Sequence, residues 1–180
     1  MCLRMRRVKG LVVSGLVVVL LFAACGHQAP QRPSQRMGEG PKPDSALMAR
    51  MNFNRELASA ADEQLIRYVQ EQDESYALYD AGTWVLILEK GDPTTPTPQL
   101  NDEWTVHMRT MDMQERLLLD SEGTYRIGKN ELPMAVDENI REMHHGAKAR
   151  LVAPWYAAYG LKGTDHVPPY ENVIIEIELK

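Results

Sequence analysis

The sequence predicts an α+β protein in which an antiparallel sheet packs on a short helix, behind a helical extension. The last strand is the clearest sign of the sheet, because apolar and charged residues alternate there with a period of two. Its apolar side consists of Val173, Ile175, Ile177 and Leu179, and its polar side of Glu176, Glu178 and Lys180. The extension is predicted by a long upstream segment that is rich in helix-forming residues and contains no proline or glycine.

That helical segment runs from Ser45 to Asp73. Apolar residues recur in it at spacings of three and four, at Leu57, Ala61, Leu65 and Tyr68/Val69, so one face of the helix is apolar. The pattern fits one long helix or two short helices that meet near Ser59. In the second case Ser59 is an N-cap, with Asp62 in the first turn.

The remaining elements follow the same logic of periodicity and turn residues. Trp84 to Leu88 is a continuous apolar strand, and the proline-rich segment Gly91 to Pro98 is a loop. Further strands are predicted from Trp104 to Thr110, Arg116 to Asp120, Thr124 to Ile127 and Ala147 to Leu151; Val136, Ile140 and Met143 mark one face of a short helix that ends before Gly146. Several antiparallel strands with one short helix indicate a sheet with one solvated face.

The N-terminus has the organisation of an export signal. Residues 1–9 carry four basic side chains and no acid, and an apolar run of 14 residues follows from Leu11 to Ala24. A basic region followed by a short apolar region describes a secretory signal. The run is shorter than the roughly 20 residues that a membrane-spanning helix needs.

The end of this run, Leu21-Phe22-Ala23-Ala24-Cys25-Gly26, resembles the lipobox of bacterial lipoproteins. The resemblance implies that Cys25 receives a diacylglyceryl group, that cleavage precedes it, and that its acyl chains anchor the protein. A plain signal peptide and an uncleaved anchor are the alternatives. Residues 25–44 are rich in proline and glycine and are predicted to be a flexible tether. The predicted organisation is signal peptide 1–24, tether 25–44, helical extension 45–80 and folded domain 81–180.

Composition excludes several classes of protein. The formal charge of the 180 residues is −5 and becomes −9 once residues 1–24 are removed, which argues against a nucleic-acid-binding protein, because these usually carry a basic stripe. Cys2 would leave with the signal and Cys25 would be acylated, so no disulfide and no free thiol are expected. No glycine-rich phosphate loop and no G-x-S-x-G motif occur.

Neither a cofactor nor a metal is predicted. The pair His144-His145 is the one candidate for a metal site, but adjacent helical residues point about 100° apart, and no ligand follows at i+4. A solvated helix end is the alternative for this pair, since a cationic His is favourable at a helix C-terminus.

The segment from Gly128 to Lys180 resembles the C-terminal half of FKBP-type peptidyl-prolyl isomerases. The matching strings are Gly128-Lys129, Gly146-Ala147-Lys148-Ala149-Arg150-Leu151, Tyr159-Gly160, Val167-Pro168-Pro169 and the final strand ending in Glu178-Leu179. The front half matches more loosely, and residues 45–90 resemble the extension of lipid-anchored members from Bacteroidetes-type bacteria, including the gliding-associated group. The resemblance implies an FKBP-like half-barrel sheet wrapped on a short helix.

Such isomerases need an apolar cup for the proline ring and a few hydrogen bonds to the flanking peptide. Catalysis then follows from tighter binding of the twisted amide. By resemblance, Asp120 and Tyr159 are the polar catalytic residues, and the substrate pocket consists of Met108, Leu119, Leu132, Pro133, Val136, Val167 and Ile175. Alternatively, Tyr159 only closes a loop and Asp120 only caps a turn beside Ser121.

Two departures weaken the expected pocket. Aliphatic residues replace nearly every aromatic wall of the family, including Val136 at the position of a Trp. The family uses a backbone N–H at the position of Pro133, and proline has none. We therefore expect an isomerase of weak activity that acts on proline-containing segments of exported proteins. A non-catalytic binding or assembly module of the cell envelope is the main alternative, and an accessory lipoprotein of secretion or motility is a third.

Overall fold

The computed structural model describes residues 44–180. In chain order, the elements are α1 (Ser45–Gln70), β1 (Ala77–Leu78), β2 (Trp84–Glu89), β3 (Glu103–Met111), β4 (Leu117–Arg126), α2 (Met134–Asn139), β5 (Lys148–Ala153) and β6 (Val173–Leu179). Short 3₁₀ turns occupy Asp80–Gly82, Ile140–Glu142 and Trp155–Ala157. The predicted signal, the lipobox with Cys25 and nearly all of the tether lie outside the described residues.

The six strands form one antiparallel sheet in the order β1-β2-β5-β6-β3-β4. The predicted fold, an antiparallel sheet with a short helix and a helical extension, is confirmed. The two strand candidates at 116–120 and 124–127 are one continuous strand, β4. The two-residue strand β1 was not predicted; it places the start of the sheet at Ala77, four residues before the domain boundary expected from the sequence.

The core lies between α2 and one face of the sheet, which we call the inner face. The predicted alternation is confirmed there, since Val173, Ile175 and Leu179 are fully buried and Ile177 nearly so. The predicted helical face is confirmed as well: Val136, Ile140 and Met143 expose at most 4% of their surface. Burial on this scale supplies most of the driving force for folding.

Helix α1 covers part of the opposite, outer face. Val152 and Ile174 alternate with inner-face residues and therefore point outward, yet both are fully buried, as is Leu65 of α1. The hydroxyl of Tyr68 in α1 donates to Glu115 in the β3–β4 turn at 2.9 Å. The outer face thus holds a second, smaller apolar contact beneath α1.

Helix α1 is one helix, and the alternative of two short helices meeting at Ser59 is wrong. Its N-cap is Asp44, whose side chain accepts a hydrogen bond from the N–H of Ala46 at 3.2 Å. A single N-cap suffices because no proline or glycine interrupts the segment. Across residues 44–180, no helix is both long and apolar enough to span a membrane.

Candidate functional site

Five of the predicted pocket residues meet on the inner face. Met108 of β3, Leu132 before α2, Val136 of α2, Val167 of the β5–β6 connection and Ile175 of β6 belong to one apolar cluster. They come from four different parts of the chain, and each points inward because of the register of its strand or the face of its helix. We call this group the inner cluster.

Tyr159 packs against the inner cluster from the side of the β5–β6 connection. Its hydroxyl shares a hydrogen bond of 2.8 Å with the Oγ1 atom of Thr110, a fully buried residue of β3. Burial raises the pKa of Tyr159 above its ordinary value, the bond from Thr110 opposes this, and the nearby Tyr125 adds to it. The phenol is therefore protonated at neutral pH. It can donate a hydrogen bond to a substrate carbonyl when its hydrogen bond with Thr110 is broken.

The walls of the inner cluster are covered in this structure. Val136, Val167 and Ile175 expose none of their surface, while Met108 exposes 5% and Leu132 exposes 6%. The residues that pack against the cluster and remain partly exposed include Trp104, Leu118, Tyr125, Tyr156, Ala158 and Tyr159. Because these walls are almost completely buried, a proline ring can reach them only if side chains around the cluster move.

Asp120 does not belong to this site. It lies opposite Arg109 in the pairing of β3 with β4, so its side chain points to the outer face. There its Oδ1 atom lies 2.7 Å from the Nε2 atom of His107. The prediction that Asp120 faces the pocket is wrong, because a shift of one residue along a strand moves a side chain to the other face.

A bulge in β4 lies just before Leu119 and Asp120. Thr110 pairs with Leu119 and the next residue, Met111, pairs with Leu117, so Leu118 is the extra residue. Leu118 packs against the inner cluster, whereas Leu119 is half-buried beside it. The predicted wall residue Leu119 lies next to Leu118 and pairs with the inward-facing Thr110. The residue after Leu119, Asp120, points to the outer face.

Pro133 lies at the N-cap of α2, directly after Leu132 of the inner cluster. Its carbonyl oxygen accepts hydrogen bonds from the N–H groups of Val136 and Asp137, both at 2.9 Å. Proline suits this position because its φ of −52° agrees with its ring constraint. It has no N–H to offer to a substrate, as the sequence predicts.

The segment from residue 95 to residue 180 matches the sequence model of FKBP-type peptidyl-prolyl cis-trans isomerases. Among solved structures, a peptidyl-prolyl cis-trans isomerase from Pseudomonas syringae is similar over 69% of this chain and 92% of its own, with 23% identity and a TM-score of 0.58. The N-terminal domain of FKBP42 from Arabidopsis thaliana is similar over 61% of this chain and 92% of its own, with 20% identity and a TM-score of 0.51. No curated protein sequence matches the chain significantly.

Residues 95–180 therefore form an FKBP-type domain. Elements α1, β1 and β2 precede the matched segment, although β1 and β2 complete the sheet of the FKBP-type domain through the pairing of β2 with β5.

A polar clamp, which sequence reasoning missed, ties α1 to the loops beside Tyr159. The hydroxyl of Tyr156 donates to Asp62 of α1 at 2.6 Å, across 94 residues of sequence. Asn172 accepts from the N–H of Trp155 at 2.9 Å and donates to Gln64 of α1 at 2.8 Å. In the sequence, Asp62 lies one turn before the buried Leu65 and Gln64 lies next to it, and polar residues at such positions do not by themselves indicate their partners.

Both histidines of the pair form hydrogen bonds with Thr95 of the proline-rich loop. The Nδ1 atom of His144 lies 2.8 Å from the carbonyl oxygen of Thr95, and the N–H of His145 donates to the Oγ1 atom of Thr95 at 3.1 Å. His144 is half-buried against the proline-rich loop, so the expected solvated helix end is wrong for this residue. Within residues 44–180, no group of three or more His, Cys, Asp or Glu side chains is arranged to hold a metal ion.

Proposed function

We propose that this protein is a lipid-anchored peptidyl-prolyl cis-trans isomerase of weak activity, which assists the folding of exported proteins. The match of residues 95–180 to FKBP-type isomerases carries the proposal. The inner cluster and Tyr159 supply the parts that the chemistry requires, an apolar surface for the proline ring and a neutral phenol that can donate to a carbonyl. No nucleophile and no metal are needed, because the reaction breaks no covalent bond.

The substitutions at the site explain why weak activity is expected. Pro133 lacks the N–H that would hold a substrate carbonyl, and a neutral hydrogen bond of this kind contributes about 1 kcal/mol. Aliphatic side chains offer the ring less contact area than aromatic ones do. The covered walls add the free energy of moving the side chains that cover them, so binding draws on a minor conformation.

A rate measurement tests the proposal. The exchange between cis and trans forms of a proline peptide is followed by NMR with and without the mature protein. We expect an exchange rate above the uncatalysed one that falls with Tyr159→Phe. Asp120→Ala is the matched control, since Asp120 lies on the outer face and its loss leaves the site intact. An exchange rate equal to the uncatalysed one contradicts catalysis.

The covered walls favour one second function, that of a non-catalytic module which binds apolar or proline-containing segments. In that case the same peptide shifts the resonances of the inner cluster while its cis–trans exchange rate stays at the uncatalysed value. Catalysed exchange that is lost with Tyr159→Phe excludes this function.

Anchoring through Cys25, at the periplasmic side of the outer membrane, is part of the same proposal. Its support is the lipobox-like string that ends at Cys25 and the basic, apolar segment before it. The intact mass of the protein purified from membranes tests this, because acylation adds the mass of the fatty chains to a chain that begins at Cys25. A soluble protein of unmodified mass overturns it.

A further inference from the structure

The first three turns of α1 present large apolar side chains to solvent. Leu47, Met48, Met51 and Phe53 are 49%, 42%, 50% and 56% exposed, and every residue from 44 to 56 except Asn54 is exposed. The part of α1 that packs on the sheet, with Ala61 and Leu65 as its buried residues, comes only later. An apolar patch of this kind on a soluble domain marks a surface that meets something else.

The exposed apolar side chains are spread widely around the helix. This spread favours a broad apolar surface as their partner over a single packed helix. At 100° per residue, Leu47, Met51 and Met48 cover one side of the helix, and Phe53 lies on another. A second copy that packs along the seam of Leu47, Met51, Asn54 and Ala58 would leave Met48 and Phe53 exposed. Arg55 lies beside Met48 and Arg50 lies between Leu47 and Phe53. Their long side chains can reach back to a charged surface while the helix lies in it.

Charge is strongly segregated along the chain. Residues 26–55 carry five Lys or Arg and two acids, a net charge of +3, whereas residues 56–180 carry eleven Lys or Arg and 23 acids, a net charge of −12. An anionic surface therefore attracts the first turns of α1 and the chain before them, and it repels the rest of the folded unit.

The exposed start of α1 also lies close in sequence to Cys25. This part of the inference rests on the proposed lipid anchor. Eighteen residues separate Cys25 from Asp44. If these residues form the flexible tether that the sequence predicts, its root-mean-square span is about 23 Å. The start of α1 is the part of the described chain that is nearest in sequence to Cys25, so an anchored Cys25 would give it a high local concentration at the membrane and amplify even a weak affinity.

We propose that residues 45–56 of α1 dock on the surface of an anionic lipid bilayer through Leu47, Met48, Met51 and Phe53. Arg50 and Arg55 lie at the headgroups. The docked helix fixes one orientation of the molecule, with the acidic FKBP-type domain directed away from the membrane.

A site-specific fluorescent label tests this in the mature protein. The expected absence of free thiols allows one environment-sensitive dye to be placed at Met51→Cys, and in a separate variant at Leu100→Cys, an exposed position in the loop before β3. Each protein is reconstituted into vesicles of phosphatidylglycerol and phosphatidylcholine, or of phosphatidylcholine alone. Intact mass first reports whether Cys25 is acylated, so failure of the anchor and failure of docking are read separately.

With the anionic vesicles, we expect the label at position 51 to shift to the blue, to be quenched by a lipid-borne quencher and to be shielded from a soluble one. The label at position 100 should behave as in water. Arg50→Gln with Arg55→Gln should lower the ratio of docked to free helix about fivefold for each Arg removed. Equal accessibility of both labels overturns the proposal. Self-quenching at position 51 that unlabelled protein relieves also overturns it, because it shows that two copies pair.

Discussion

Pro133 removes one backbone donor from the chain beside Leu132 of the inner cluster. Its carbonyl starts α2, but its ring nitrogen carries no proton, so the chain presents no donor at this point. The backbone conformation there, with φ of −52° and ψ of 141°, lies at the edge of the extended region that residues other than proline also adopt. The donor can therefore be restored without a change of fold.

We predict that Pro133→Ile raises the isomerase rate about fivefold, the value of one hydrogen bond of about 1 kcal/mol to a substrate carbonyl. The measurement is the catalysed cis–trans exchange rate of a proline peptide. Pro133→Ile should lower the free energy of unfolding by no more than about 1 kcal/mol, because proline at a compatible φ restricts the unfolded chain. An unchanged or lower rate in a stable variant shows that the missing donor does not limit activity.

Asp112 is a buried carboxylate in the turn between β3 and β4. It is 2% exposed, and its carboxylate accepts from the N–H groups of Gln114 and Arg116 at 2.9 and 3.0 Å and from the Nε of Arg116 at 2.6 Å. Burial alone would raise the pKa of Asp112, but these hydrogen bonds outweigh it, and the pKa is lowered. The charged form thus stabilises the turn that joins β3 to β4.

We predict that Asp112→Asn lowers the free energy of unfolding by about 2 kcal/mol at pH 7. A carboxylate with a lowered folded pKa contributes its full stability above the unfolded pKa of about 3.9 and loses it as the pH falls through the folded value. The difference between the two proteins should therefore shrink below about pH 4. Urea unfolding across this pH range measures it, and a difference that stays constant contradicts the assigned charge.

At the scale of elements, the sequence predicted the inner face well because that face has a simple period. In β6, every second residue is buried as alternation requires, and Met108 and Ile175 take their places in the site for the same reason. The β4 bulge has no such signal, since it depends on the pairing of Thr110 with Leu119 and Met111 with Leu117. The sequence therefore did not predict that Leu118 joins the inner cluster, and it placed Asp120 on the wrong face although its neighbour Leu119 pairs with the inward-facing Thr110.

Helix α1 is fixed to the sheet by a small apolar contact. Leu65 is fully buried, whereas its neighbour Ile66 is 41% exposed. We predict that Leu65→Ala lowers the free energy of unfolding by about 3 kcal/mol, whereas Ile66→Ala changes it by less than about 1 kcal/mol. Chemical denaturation followed by circular dichroism measures both. Equal effects of the two substitutions show that α1 does not pack as described.

At the scale of the molecule, residues 44–180 form one compact unit. The clamp of Asp62 with Tyr156, and of Gln64 with Asn172, joins α1 to the connection that carries Tyr159. Such contacts link residues about a hundred positions apart, so no local pattern in the sequence announces them. They make α1 part of the support of the site, although it precedes the segment that matches the FKBP-type family.

The central claim is that the inner cluster, covered at rest, is where proline-containing segments bind. Methyl NMR during titration with a proline peptide tests it most directly, because the chain provides an internal control. We expect the methyl resonances of Met108, Leu132, Val136, Val167 and Ile175 to shift, while those of Val152 and Ile174, buried on the outer face, stay in place. Shifts confined to the outer face, or no shifts at all at saturating peptide, contradict the claim.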